Sequence, residues 1–310
     1  MEIRLNKIML LIVIGVMIMG ILGSRALTSW REINEEKSVS LDEISEIQVM
    51  ISSAAVHIIQ TEASNEVKFH YYGKAMQEIK FVTSPNNKTV VAGEKRKHKA
   101  LPLPEKMFLD IYIPKKYVNN FSIKISSGTV TMDDSFNFES FTYNTSSGIL
   151  EAEQLTAEKI SINTSSSNLN IKKIDTQEME IYGSTSKISI DECIAKEANM
   201  GISTGSITLK NSSGNFDYKG STGDVLIAYK EFENQNLNVE TTVGNVTIEL
   251  PSSAEFLLDA KTSTGGLKSE FVVNTTDNTD KKKIEGQIGT KNNKISLKTS
   301  TGSINILKNS

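Results

Sequence analysis

The sequence predicts an all-β protein, a single-stack β-solenoid with rungs of about 19 residues, preceded by one N-terminal transmembrane helix. Two observations predict the solenoid. A corner motif of Ser or Thr followed by a small residue recurs at a nearly fixed spacing, and apolar residues alternate with polar ones between the corners. A third observation, an uncharged apolar run near the N-terminus, predicts the helix.

The apolar run spans residues 8–22, and no charged residue lies between Lys7 and Arg25. Its length is near the lower limit for crossing a bilayer, which takes about 20 residues in a helix. We expect residues 1–30 to form a membrane anchor, with Trp30 at the lipid–water interface. The anchor predicts a single-pass protein of the cell membrane whose C-terminal domain is extracytoplasmic.

A cleaved signal peptide is the alternative interpretation of the N-terminus, because Ser24 and Ala26 supply the small residues of a cleavage site. Residues 31–43 are rich in polar and charged side chains, and we expect them to form a linker. The folded part is predicted to divide into an N-terminal β cap region, residues 44–125, and the β-solenoid repeats, residues 126–310.

The corner motif defines the repeat. The small residues that follow the Ser/Thr pair are 20, 19, 19, 19, 18, 21, 21 and 37 residues apart, the last spacing being close to two periods. A unit this short cannot bury its own apolar face, but stacked units can, with about 4.8 Å between neighbouring strands. We expect the corners to stack in sequence order, with hydroxyls bonded to the backbone of their own or the next rung. These index residues are Gly128, Gly148, Ser167, Ser186, Gly205, Gly223, Gly244, Gly265 and Gly302.

Apolar residues occupy the same six offsets after successive index residues. Side chains of a strand alternate between its two faces, so each period predicts two short strands with one set of side chains pointing inward. Charged residues also fall in register, where opposite charges on neighbouring strands attract. The inward residues of one rung are Leu150, Ala152, Leu155, Ala157, Ile160 and Ile162, and the predicted ion pairs are Lys172 with Glu153 and Asp191, Asp191 with Lys210, and Lys173 with Glu192.

Three stretches, together with the apolar run, resemble a known family: SSAAVHIIQTE (52–62), LDIYIPKKYVNNFSIKISSGTV (109–130) and STGSITL (203–209). The chain resembles, over about residues 40–308, the bacterial β-strand-repeat family labelled "putative adhesin", which includes the LiaG-type proteins of envelope-stress operons. The resemblance implies a membrane-tethered envelope protein. It supplies no catalytic residues.

The composition excludes some function classes. The chain has 34 basic and 37 acidic residues, so it lacks the basic footprint of a nucleic-acid-binding protein. Cys193 falls at an inward offset and is expected in the core, and His57 is expected on the surface. No cofactor or metal site is predicted. The acidic side chains of one lateral face could act in glycan cleavage, but lysines interrupt them; they are Asp133, Asp134, Glu153, Asp191 and Glu192.

One stretch, EKRKHKALPLPEK (94–106), concentrates basic residues before two prolines and is expected to be a loop. Such a loop could contact anionic lipid headgroups or wall polymers, although a solvated surface loop is the simpler interpretation. The candidate contact residues are Lys95, Arg96, Lys97 and Lys99.

The sequence thus predicts a non-enzymatic scaffold, tethered to the membrane, that binds or senses a partner in the bacterial cell envelope, with a link to envelope stress. Partners could be the membrane itself, another envelope protein or a wall polymer. The alternative is a surface adhesin or wall-polymer-binding protein, and a carbohydrate-active β-helix enzyme is the third hypothesis.

Overall fold

The computed structural model describes residues 29–62, 64–86, 88–97, 103–274, 281–290 and 293–309. Within these ranges the protein contains β-strands and no helix, as predicted for an all-β fold. One strand run, β8, is 103 residues long because the chain bends at each corner without leaving the strand conformation. The strands are β1 (Arg31–Ser40), β2 (Glu46–Ser53), β3 (Ala55–Thr61), β4 (Glu66–Ala75), β5 (Ile79–Asn86), β6 (Thr89–Arg96), β7 (Glu105–Pro114), β8 (Asn120–Thr222), β9 (Val225–Tyr229), β10 (Leu237–Val243), β11 (Val246–Pro251), β12 (Phe256–Thr264), β13 (Leu267–Ser269), β14 (Lys283–Ile288), β15 (Lys294–Thr301) and β16 (Ile304–Asn309).

The predicted interior of the repeats is confirmed. Leu150, Leu169, Ile188 and Ile207 are all buried. This column of buried side chains continues into β9, since Ile207 of β8 is the register partner of Val225. The other inward offsets are buried as well, including Cys193. The repeats therefore form one continuous apolar core.

The corners stack directly on one another. A Cβ added to Gly148 would lie 2.2 Å from the carbonyl oxygen of Gly128, and one added to Gly223 would lie 1.4 Å from that of Gly205. Gly223 also has φ +142°, a conformation that glycine adopts without the steric penalty of a side chain. The hydroxyl of Thr299 bonds across rungs as expected, donating to the carbonyl of Gly244 at 3.1 Å, whereas the buried hydroxyl of Ser186 has no hydrogen-bond partner among the described residues.

The order of the rungs departs from the sequence order at the C-terminal end. Ile295 of β15 pairs with Leu237 of β10 on one side and with Leu258 of β12 on the other, in both cases in parallel register. The last rung of the chain therefore lies between the two rungs that precede it in the sequence, and Gly302 lies between Gly244 and Gly265. The expectation that Gly265 precedes Gly302 in the stack is wrong, because the apolar pattern does not specify which rung is its neighbour.

The N-terminal end has the same interleaved order. Ile47 of β2 pairs with Phe121 of β8 and with Val90 of β6, so β2 lies between two strands that follow it in the chain. Strand β3 likewise lies between β7 and β8. The inserted strands β2, β3, β15 and β16 thus each pair with a parallel strand on both sides.

Antiparallel strands pair with three of the outer parallel strands of the stack. β4 pairs with β7 and β5 with β6 at the N-terminal end, and β14 pairs with β12 at the other. β1 is the outermost strand, and Asn34 is opposite Tyr72 of β4. The segment predicted to be a linker, residues 31–43, therefore forms a strand over most of its length. Its alternating polar residues fit an edge strand with one solvent-facing side.

The predicted membrane anchor in residues 1–30 lies almost entirely outside the described residues. In the part of the chain that the structure describes, no helix is long and apolar enough to cross a membrane.

Candidate functional site

The N-terminal end of the stack carries an unusual concentration of aromatic side chains on its outer surface. β1, β4 and β7 are neighbours in one sheet, and their inward side chains, such as Phe69 and Leu109, are buried in the core. The alternate side chains point outward. We call this surface the aromatic face; it consists of Trp30, His70, Tyr72, Phe108 and Tyr112.

The rings of the aromatic face stack against each other. The His70 and Tyr72 ring centroids are 4.4 Å apart, and those of Tyr72 and Phe108 are 5.2 Å apart, both with nearly parallel planes. The ammonium group of Lys106 lies 5.8 Å from the Phe108 centroid, within the range of a cation–π contact. The rings of His70, Tyr72 and Phe108 therefore cover one another. Trp30, in contrast, has 49% of its surface exposed.

A row of four titratable side chains crosses the same sheet. Glu36, His70, Asp110 and His57 are consecutive register partners on β1, β4, β7 and β3. His57 Nδ1 is 3.6 Å from one oxygen of Asp110, and His70 Nδ1 is 4.0 Å from the other. His70 Nε2 lies 2.7 Å from Asn34 Oδ1, so it carries the proton that Asn34 accepts.

Asp110 is the centre of this row and affects the neighbouring hydroxyl groups. Desolvation, together with the Asp110 carboxylate, raises the pKa of Tyr72 and of Tyr112 above the usual value. Both tyrosines are therefore neutral hydrogen-bond donors at physiological pH. Within the described ranges, no group of three or more His, Cys, Asp or Glu side chains could hold a metal ion.

The structure describes three of the four basic residues of the predicted surface contact and separates them. Lys95 and Lys97 are exposed, but Arg96 lies on the opposite side of the strand with only 14% of its side chain exposed. Arg96 is therefore not available to an anionic surface, because strand alternation turns it inward. Lys99 lies outside the described residues. The stretch is also partly strand, since β6 extends to Arg96.

Arg96 belongs to a buried charge cluster. Its guanidinium donates to both oxygens of Glu105, and its Nε donates to Glu94 at 2.7 Å. Glu94 also accepts hydrogen bonds from the Tyr71 hydroxyl and the Ser52 backbone, both at 2.8 Å. Burial and the charge of Glu94 raise the pKa of Tyr71 well above its usual value. The cluster links β2, β4, β6 and β7 beneath the aromatic face.

The lateral acidic face shows ion pairing between adjacent rungs. Three of the four pairs predicted from the repeat form, including Lys172 with Glu153 at 2.6 Å and Lys210 with Asp191 at 3.2 Å. Lys173 pairs with Glu192 at 2.9 Å. The fourth, Lys172 with Asp191, does not, because Lys172 pairs with Glu153 and Asp191 with Lys210. Each lysine neutralises a carboxylate on the adjacent rung, which is the structural role expected of a charge column.

The remaining candidate residues have structural positions. Asp134 accepts a hydrogen bond from the Gln60 backbone at 2.7 Å and so holds β3 against the first rung of β8. Cys193 is fully buried, and burial raises its pKa to about 12, which removes it as a nucleophile. His57 is exposed, as predicted.

Comparison with known proteins decides the family. The sequence profile of the Toastrack DUF4097 family matches residues 44–307, which is most of the chain. The chain belongs to the Toastrack DUF4097 family. This confirms, at the level of the family, the resemblance to uncharacterised adhesin-labelled proteins, and the Toastrack fold agrees with the repeated β-structure seen here. Among curated proteins, none matches this chain.

Solved structures also resemble the Toastrack chain. A "putative adhesin" from Parabacteroides merdae has a TM-score of 0.50 at 12% identity, covering 88% of this chain and 96% of that one. A "putative cell adhesion protein" from Clostridium sporogenes shares 14% identity and covers 90% and 100%, with a TM-score of 0.26. A "putative lipid binding protein" from Parabacteroides distasonis shares 13% identity and covers 88% and 96%, with a TM-score of 0.47. At these identities the likeness concerns the fold alone.

The aromatic face was not predicted from the sequence, although a signal for it exists. In EVKFHYYGKA, one alternate set is Val67, Phe69 and Tyr71, and the other includes His70 and Tyr72. Both sets are rich in aromatic side chains, which is unusual for a strand that has one solvent-exposed face. The signal is visible only when the outward set is considered separately from the core set.

Proposed function

We propose that this protein is a non-catalytic binding scaffold, held at the bacterial cell membrane by residues 8–22, with the solenoid outside the cytoplasm. The observation that carries the proposal is the position of the first described residues. Trp30 and β1 lie at one end of the stack, so a tether at residues 8–22 would leave the rest of the solenoid projecting away from the membrane. The stack would reach about 50 Å, at about 4.8 Å between strands.

The chemistry of the solenoid supports binding over catalysis. Three acids of the lateral face, Glu153, Asp191 and Glu192, are paired with lysines on the adjacent rung, and the hydroxyl of the corner residue Thr299 bonds to a backbone carbonyl. General acid–base catalysis needs a carboxyl or imidazole poised to exchange a proton with a substrate. An array of mutually neutralised charges on a rigid sheet is suited instead to presenting a constant surface to a partner.

Cell fractionation tests the tether. The intact chain is expected in the membrane fraction after an alkaline wash, and protease added to spheroplasts is expected to cleave the solenoid. Ile14→Arg with Val16→Arg is expected to release the protein, since each arginine at the centre of a membrane helix costs about 2.5–3.5 kcal/mol. Release of the unaltered chain by the alkaline wash, or full protection from the protease, would contradict the proposal.

Binding assays separate the remaining hypotheses. Retention on isolated cell walls, without a membrane partner, would favour the adhesin. A loss of glycan cleavage in Glu153→Gln with Asp191→Asn would favour the enzyme. A partner recovered from membranes only under envelope stress would support the link to the stress response that the family resemblance suggests.

A further inference from the structure

We propose that the aromatic face docks on an anionic lipid bilayer, so that the membrane holding the tether also fixes the orientation of the solenoid. The inference deepens the proposed function and rests on it, because it needs the tether at residues 8–22. It assigns one face of the N-terminal end to the lipid and leaves the lateral faces of the solenoid for other partners.

The length of chain before the face restricts where the face can lie. Leu22 ends the apolar run, and Trp30 is eight residues further on. An extended chain advances at most about 3.6 Å per residue, so Trp30 must lie within about 29 Å of Leu22. An aromatic face this close to a bilayer can contact it unless the two surfaces repel each other. The composition of the face decides between contact and repulsion.

The composition of the face is that of a membrane interface. Trp30, Ile33, Tyr72 and Phe108 line an open groove of about 770 Å³ whose exposed surface is mainly apolar. Tryptophan and tyrosine are the residues enriched where lipid tails meet headgroups, because their rings have an apolar body and a polar tip. Sugar binding is less favoured here, since the faces of Tyr72 and Phe108 are stacked on neighbouring side chains and only Trp30 offers a largely uncovered ring.

Basic side chains border the groove. Lys74 and Lys106 are opposite each other on β4 and β7, where both strands reach the groove. The exposed Lys97 is held near this end of the sheet, because its backbone N–H donates to the Glu78 carbonyl just beyond β4. Lysine stems can lie along apolar surface while the ammonium group reaches a phosphate, which complements an anionic headgroup layer.

Among the residues that line the groove, Glu32 is the acidic one. Glu32 pairs with Lys74 at 3.1 Å, and Glu78 pairs with Lys80 at 3.5 Å. Carboxylates that would otherwise repel anionic lipid are therefore neutralised within the protein. Because Glu32 takes up the charge of Lys74, Lys106 is the lysine of the groove that attracts an anionic lipid surface, and salt screens this attraction.

Trp30 supplies the probe, because it is the only tryptophan of the chain. We suggest reconstituting the full-length protein into vesicles of phosphatidylcholine with phosphatidylglycerol, with or without bromine on the acyl chains, and measuring Trp30 fluorescence. Docking is expected to shift the emission to shorter wavelength and to cause quenching by the brominated lipid. Vesicles of phosphatidylcholine alone are expected to quench less.

Variants distinguish docking by the face from delivery by the tether. Tyr72→Ser with Phe108→Ser is expected to lose most of the quenching, although the tether is unchanged. Tyr182→Ser is the matched control, since Tyr182 is an exposed aromatic residue on β8, away from the N-terminal end, and its variant should retain the quenching. Lys97→Glu, an exposed substitution that leaves the aromatic groups in place, is expected to weaken the preference for anionic vesicles.

The outcomes separate the inference from the proposed function. Equal quenching in the unaltered chain and in Tyr72→Ser with Phe108→Ser would overturn the docking, because the tether alone would then deliver Trp30. An unaltered chain that floats with vesicles but shows no quenching would also overturn it and leave the tether standing. A chain that does not float with vesicles would contradict the tether itself. If the lysine variant kept the same preference for anionic vesicles as the unaltered chain, the electrostatic contribution to docking would be overturned.

Discussion

The middle of the stack and its N-terminal end use the same parallel strands but are held together differently. In β8 each residue contacts residues about one period away, and each rung repeats the same apolar and glycine positions. At the N-terminal end, β2 lies between β6 and β8, and charges are buried around Arg96. Regular stacking therefore supplies the core, whereas the ends depend on specific long-range pairing.

Mutation of the buried charge cluster around Arg96 is expected to change the free energy of unfolding more than mutation of the middle of the stack. Arg96→Met is expected to destabilise the fold by about 3–5 kcal/mol, because it leaves Glu94 and Glu105 buried without their cationic partner. The midpoint of urea unfolding, followed by circular dichroism, measures the loss.

A compensated variant is the control for this prediction. Replacing all three charges, with Glu94→Gln, Arg96→Met and Glu105→Gln, is expected to recover much of the stability, since no uncompensated charge remains. If Arg96→Met alone left the unfolding midpoint unchanged, the cluster would contribute nothing to the end of the stack.

A corner glycine tests the middle of the stack. Gly223→Ala is expected to cost about 1–3 kcal/mol from the positive φ alone, and more if the rung must move away from the Gly205 carbonyl. Gly266→Ala is the matched control, because its Cβ would meet only the Ser303 hydroxyl at 3.6 Å and its φ lies outside the positive range. Equal unfolding midpoints for the two variants would contradict direct stacking of the corners.

The sequence predicts the middle of the stack well because the information there is local. Leu150, Leu169 and Ile188 share one offset, and in-register stacking follows from matching that offset between neighbouring repeats. The charge pairs follow from the same register, and the three that form at 2.6, 2.9 and 3.2 Å were all predicted from it.

The ends could not be predicted in the same way. The register partners Leu237 of β10 and Ile295 of β15 are 58 residues apart in the sequence. Leu258 of β12 has the same inward offset, so the apolar pattern alone does not tell which strand is the neighbour of β10. The aromatic face depends on β1, whose charged residues are typical of both an edge strand and a linker. Arg96 was misplaced for a related reason: the alternation of Val90, Ala92 and Glu94 turns it inward, but a cluster of basic residues suggests a surface.

Acidification is expected to weaken the N-terminal end before the middle. Burial opposes the charge of Glu94, but hydrogen bonds from Arg96, the Ser52 backbone and Tyr71 outweigh it and hold the pKa of Glu94 below its usual value. In the unfolded state the Glu94 carboxyl has a pKa of about 4.3, so on acidification it binds a proton there before it does so in the folded state. The stabilisation is therefore present above that pH and is lost as the pH falls through the lower pKa of the folded state.

Glu94→Gln isolates this contribution, because the amide does not titrate. The stability of the unaltered chain is expected to fall more steeply than that of the variant between pH 5 and the acid limit of folding, as measured by urea unfolding at a series of pH values. Parallel pH profiles would show that Glu94 has the same pKa in the folded and unfolded states.

The charge column of the middle region is expected to have the smallest effect. Lys172 and Glu153 are both largely exposed, and pairs of this kind contribute about 0–1 kcal/mol. A double-mutant cycle of Lys172→Ala and Glu153→Ala should give a coupling in this range that decreases with added salt, because exposed charges are screened. A larger, salt-independent coupling would mean that the lateral face is ordered by its charges, and the contrast with the buried cluster around Arg96 would disappear. A small value would leave the apolar core and the glycine corners as the main source of regularity in the middle of the stack.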